Sequence, residues 1–131
     1  MNRSIDRGEI PSAVVLVDDD AALRRAVAFA LEAAGLKVLA FADAESALAA
    51  ELPGDACFVL DQRLPGLSGL EAFLVLRGRG DRRPAIFITS NPRLDLRKAA
   101  AAAGVPIVEK PLLGDALLQA VRSVCVLPKS L

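Results

Sequence analysis

"FVLDQRLPGLSGLE", residues 58–71, decides the fold of this chain. An apolar run stops on Asp61, and Gln62, Arg63, Pro65, Gly66 and Gly69 follow within eight residues. A carboxylate is costly to bury without a partner. An aspartate at the end of a buried-looking strand therefore needs a reason. Either it caps the helix that follows, or it stands at the open end of a strand where chemistry takes place.

Working outward, the flanking segments alternate between two periods. "ACFVL" (56–60) is a short continuous apolar run, the signature of a strand buried on both faces. "SGLEAFLVLRG" (68–78) is helical, with Ser68 as N-cap and Glu71 three residues on completing a capping box. Upstream, "AVVLV" (13–17) predicts a strand, followed by a helix that Asp20 caps and Gly35 ends. "LKVLAF" (36–41) predicts a second strand, and "DAESALAAEL" (43–52) a short helix stopped by Pro53-Gly54. Downstream come a strand over 85–89, a helix over 93–104, a strand over 105–109 with an edge-favouring Pro106, and a helix over 114–127.

Five strand–helix pairs with short connections predict one α/β domain. Parallel strands need crossovers, and right-handed crossovers place helices on both faces of the sheet. The expectation is a doubly wound (βα)5 sheet spanning residues 13–127, with a polar extension over 1–12 and a short tail over 128–131. Sheets of this kind bind ligands at the carboxyl ends of their strands.

Composition narrows the chemistry. The 131 residues are 53% hydrophobic, ample for one core. Sixteen basic and sixteen acidic residues cancel, so no global field recruits nucleic acid or anionic lipid. Histidine is absent, which excludes a His general base, a His metal site and a phosphohistidine on this chain. Cys57 and Cys125 are far apart and form no CxxC pattern, reading as buried thiols in a reducing compartment. No apolar run has the length of a membrane span and no signal sequence is evident, so the expected location is the cytoplasm. "RGRGDRR" (77–83), the basic cluster, reads as a solvated loop, with a docking patch as the alternative.

The strand ends collect one set of groups. Asp18, Asp19 and Asp20 follow the first strand and Asp61 the third. Thr89 and Ser90 end the fourth, and Lys110-Pro111 follows the fifth. Two carboxylates about 4 Å apart repel by roughly 4 kcal/mol at an effective dielectric near 20. Such a cluster calls for a cation. Lys110 offsets part of the repulsion, and a hard divalent ion with oxygen ligands, Mg²⁺, offsets more. A carboxylate beside a cation, an ammonium and a hydroxyl suits phosphoryl transfer, in which the carboxylate itself can be the nucleophile. Asp20 reads instead as a helix cap.

"VLVDDD", "VLDQRLPGLSGLE", "FITS" and "VEKP" together resemble the signature segments of response-regulator receiver domains of two-component systems, in that family's order. The resemblance covers about residues 13–126. It implies a flavodoxin-like five-stranded sheet in the order 2-1-3-4-5. It implies Asp61 as phosphoacceptor, Asp18 and Asp19 as the acidic pair for Mg²⁺, and the backbone carbonyl of Arg63 as a further ligand. Thr89 is then the switch hydroxyl and Lys110 its charged companion, with a cis bond to Pro111. A signalling domain rather than an enzyme is implied, catalysing only its own phosphotransfer and dephosphorylation. Its implied donor is a histidine kinase or phosphotransfer protein, its effector another protein, and its fourth-helix, fifth-strand, fifth-helix face a possible homodimer surface.

The chain departs from the family pattern in two places. Ile107 stands where an aromatic is usual, and the stretch from Thr89 to Lys110 is about one residue short. Arg63 and Asn91 occupy variable positions linked in the family to phosphate lifetime. Two other readings compete. One is a degenerate receiver acting as a constitutive interaction module. The other is a haloacid-dehalogenase-like phosphatase, which needs a second acid where this chain has Arg63.

Overall fold

The computed structural model describes residues 13–112 and 115–126, with the side chains of Cys125 and Val126 outside that description. The terminal segments 1–12 and 128–131 lie outside the described residues, as does the Cys125 thiol. Five strands alternate with five helices: β1 Ala13–Val17, α1 Ala21–Ala33, β2 Lys37–Phe41, α2 Ala44–Ala49, β3 Cys57–Asp61, α3 Gly69–Gly78, β4 Ala85–Thr89, α4 Leu94–Ala103, β5 Ile107–Glu109 and α5 Ala116–Val126. The strands form one sheet in the order β2-β1-β3-β4-β5, and every pair is parallel.

Alternation along each central strand divides the interior in two. Val15, Val17, Phe58, Leu60 and Phe87 face α2, α3 and α4, where Ala47, Phe73, Leu76 and Leu96 meet them. Val14, Leu16, Val59, Ile86 and Ile88 face α1 and α5, meeting Val27, Leu31, Leu117 and Val121. The period of two thus supplies opposite faces to two cores. Phe73 and Phe87 pack edge to face with ring centroids 5.6 Å apart.

The helix ends follow their cap residues. Asp20 Oδ1 accepts from the amides of Ala22 and Leu23, at 3.0 and 3.1 Å, as a cap should. Ser68 and Glu71 make the reciprocal capping box. Past α1, Gly35 adopts φ +96°, which only glycine takes without strain.

Several boundaries differ from the sequence reading by one to three residues, and four of the elements show why. β2 begins at Lys37, because Leu36 is already buried in the turn before it. α2 ends at Ala49, where Ala50 turns extended. β5 is only Ile107–Glu109, and Pro106, lacking an N–H, contributes just its carbonyl, which accepts from Phe87 N at 3.0 Å. β3 runs one residue further, so Asp61 is the last strand residue, registered against Ile88.

The basic cluster keeps Gly78, Arg79, Gly80 and Arg82 exposed, as a solvated loop would, but its arginines are also tied into the fold. Arg83 chelates Asp81 at 2.8 Å, donates to the carbonyls of Leu52 and Pro53, and lies 5.3 Å over the Phe58 ring. Arg77 donates to the carbonyls of Asp81 and Arg83 and lies 4.4 Å over Phe73. Arg79 reaches the Leu48 carbonyl. These arginines tie together the loops entering β3 and β4, at the rim opposite the aspartates.

Candidate functional site

Four strand ends deliver the site. Asp18 follows β1, and its amide extends the sheet by donating to the Phe41 carbonyl at 3.1 Å. Asp61 closes β3, Thr89 closes β4, and Lys110 follows β5 with its amide 2.8 Å from the Thr89 carbonyl. The parallel register therefore carries all four residues to one rim. They line a single hollow of about 280 Å³ with Asp19, Asp20, Arg63 and Ser90.

Asp18, Asp61 and Thr89 are the buried polar residues among those described, an unusual density of cost for one rim. Lys110 Nζ lies 3.0 Å from Asp18 Oδ2 and 3.2 Å from Asp61 Oδ2, one ammonium between two carboxylates. Asp18 Oδ1 accepts from the Asp20 amide at 2.9 Å, and Asp61 Oδ1 from the Arg63 amide at 3.2 Å. Burial pushes the Asp61 carboxyl above the ordinary aspartate value and Asp18 adds to the push, with Lys110 and the Arg63 amide pulling back. Burial pulls Lys110 down, but its two carboxylates outweigh that and hold the ammonium above the usual lysine value.

The donor set fits a hard cation. Carboxylate oxygens of Asp18, Asp19 and Asp61 lie within 4.8 Å of one another. Asp18 Oδ2 is buried and receives no aligned hydrogen bond, leaving a lone pair open beside the Lys110 ion pair. Arg63 lies on the same wall. The Lys110–Pro111 bond is cis.

Some supports were not legible in the sequence. Arg24 donates to the Asp18 carbonyl at 2.7 Å, fixing the backbone beside the carboxylate from the first turn of α1. Gln62 Oε1 accepts from the Leu70 amide at 2.8 Å, and Glu45 from the Leu67 amide at 2.9 Å, pinning the loop after Asp61. The spacing of Arg24, six residues past Asp18 and on the following helix, is a signal that could have found the first. Glu45, 22 residues from its partner, offers none.

Residues 14–122 match the family model described as the response regulator receiver domain. The transcriptional regulatory protein FixJ of Azorhizobium caulinodans is 38% identical over 112 residues, covering 84% of this chain and 53% of FixJ. The chain thus spans about half the length of that curated relative. The response regulator StyR superposes with a TM-score of 0.80 at 33% identity, covering 88% of this chain and 59% of StyR. The response regulator TrrA of Thermotoga maritima, solved in complex with Mg²⁺-BeF, shares the fold with a TM-score of 0.72 at 23% identity, covering 86% of this chain and 98% of TrrA.

Proposed function

Since this chain belongs to the response regulator receiver domain family, we propose that it is a phosphorylation-dependent switch accepting a phosphoryl group on Asp61. The observation that carries the reading is the single Lys110 ammonium shared by the buried Asp18 and Asp61 carboxylates beside a buried threonine. A pair of buried acids held this way is expensive unless charge passes through the site.

The chemistry follows from these groups. An Asp61 oxygen attacks phosphorus, forming a new P–O bond. The bond to the donor breaks, and its electron pair leaves on the departing atom, a ring nitrogen when the donor is a phosphohistidine. Asp61 meets the phosphoryl group as a largely buried carboxylate, stripped of the water that would otherwise compete with the attack. Lys110 follows the charge from carboxylate to phosphoryl oxygen, and the Thr89 hydroxyl donates to a second oxygen. Asp18, Asp19, Asp61 and the Arg63 carbonyl would hold Mg²⁺, which when bound neutralises the crowded oxygens. Return to the unmodified state is hydrolysis of the acyl phosphate in the same hollow.

On this reading residues 13–127 form the receiver unit and the domain acts in the cytoplasm. A histidine kinase or phosphotransfer protein supplies the phosphate and another protein reads the result. The face of α4, β5 and α5 is the candidate surface for a second copy. Nothing in the geometry favours the phosphate-independent module.

Incubation with acetyl phosphate and Mg²⁺ should add one phosphoryl mass, removable by hydroxylamine, and Asp61→Asn should abolish it. Modification that maps to a serine or threonine would refute the assignment.

A further inference from the structure

A second hollow of about 170 Å³ adjoins the acidic one and shares Arg63 and Thr89 with it. Its character is opposite. Arg63 and Arg93 line it, and neither guanidinium has a partner among the described residues. The Thr89 hydroxyl, on a residue only 4% exposed, is likewise without a hydrogen-bond partner there. Arg93 is also the N-cap of α4 and makes no side-chain cap bond, so the positive end of that ten-residue helix opens on the same space. One carboxylate opposes this set. Asp95 lines the hollow too, with its Oδ1 committed to the Leu96 amide at 2.9 Å. Two free guanidiniums and a helix N-terminus outweigh one half-engaged acid, and the hollow is net cationic.

This placement answers a problem that the proposed transfer creates. A carboxylate expelled from a small acyl phosphate departs beside Asp18, Asp19 and Asp61, whose charge Lys110 and a bound cation offset but which offer it no hydrogen-bond donor of their own. We propose that the hollow between Arg63 and Arg93 is a leaving-group subsite for small acyl phosphates, with Arg93 as its specificity-determining residue. The inference rests on Asp61 being the phosphoacceptor. In the step, Asp61 forms its bond to phosphorus while the P–O bond to the acyl group breaks. The electron pair leaves on the carboxylate oxygen, no proton need move, and the guanidiniums receive the new anion in fork geometry.

Two donors separate this subsite from general electrostatic attraction. Acetyl phosphate expels an anion, whereas phosphoramidate expels neutral ammonia. Arg93→Ser removes the guanidinium and installs a residue favoured at an N-cap, so α4 keeps its start. With Mg²⁺ present and phosphorylation followed by intact mass, Arg93→Ser should slow transfer from acetyl phosphate about tenfold, the size of one charge-assisted hydrogen bond. Transfer from phosphoramidate should stay within about twofold of the unmodified chain, and Arg93→Lys should recover part of the acetyl phosphate rate. Equal losses with both donors would mean that Arg93 attracts the phosphoryl group and would overturn the subsite, as would no loss with either. Silence of the unmodified chain toward both donors would instead remove the phosphoacceptor reading itself, and this inference with it.

Discussion

Gly69 sits where a side chain cannot go. A Cβ there would stand 2.5 Å from the carbonyl oxygen of Asp61 and 3.0 Å from its carbonyl carbon. Both are backbone atoms of the last strand residue and cannot swing away. Gly69→Ala should therefore cost about 1–3 kcal/mol in urea denaturation, as overpacking does, and shift the Asp61 backbone signals. An Ala variant as stable as the parent would show that the loop gives way. The neighbouring aspartate is also where sequence and structure agree most closely. Asp61 was legible as a strand-end carboxylate because its apolar run and the glycines after it are contiguous. The need for glycine at 69 was not, since it arises from a helix start folding back over a strand end.

At the scale of elements, the loop between α3 and β4 shows what sequence pattern misses. A run of arginines broken by glycine looks solvated, yet Arg83 finds its carbonyl acceptors about thirty residues earlier, at Leu52 and Pro53. Such partners exist only once the strands are paired. The Arg83 guanidinium hydrogen-bonded to Asp81 holds that carboxyl below the ordinary aspartate value, against the opposing effect of burial. A depressed folded-state value stabilises the fold above the unfolded value of about 3.9, and the gain drains away as pH falls through the lower folded value. Asp81→Asn should thus weaken the protein at pH 7, with the gap to the parent narrowing once pH falls below the unfolded value of about 3.9. A gap that is flat with pH would assign the effect to shape and not to charge.

The elements after Thr89 carry a prediction about signalling. Ile107 is half-buried against the α2–α4 core, is registered against Phe87, and is stiff at χ1. Arg97 meanwhile joins the Pro92 carbonyl at 3.2 Å to Glu109 at 3.4 Å, linking the loop before α4 to β5. A ligand shifts a conformational equilibrium only through contacts that differ between states. With beryllofluoride and Mg²⁺, amide exchange should change most over residues 89–94 and little at Ile107. Equal changes at both would show that the aliphatic side chain moves as a ring would.

At the scale of the molecule, the five strand–helix pairs, the two helical layers and the converging strand ends were readable from alternating periods, whereas the strand order came from the resemblance to receiver domains. Single-residue periodicity fixes which elements exist, and handedness fixes how they connect. What escaped were exact ends, such as the start of β5 after Pro106 and the early stop of α2. The cationic hollow beside the acids escaped as well, because Arg63 and Arg93 line it from two loops that the sequence keeps thirty residues apart.

The division of the interior by the sheet has a consequence for heredity. Ile86 and Phe87 are chain neighbours, yet they belong to different cores, whereas Phe73 and Phe87 share one. Sites without common partners add their energies, and sites in contact do not. In double-mutant cycles, Ile86→Val with Phe87→Leu should couple by less than about 0.5 kcal/mol, and Phe73→Leu with Phe87→Leu by more. Cycles with that outcome would make adjacent codons energetic strangers, leaving substitutions on one side of the sheet free to accumulate without regard to the other.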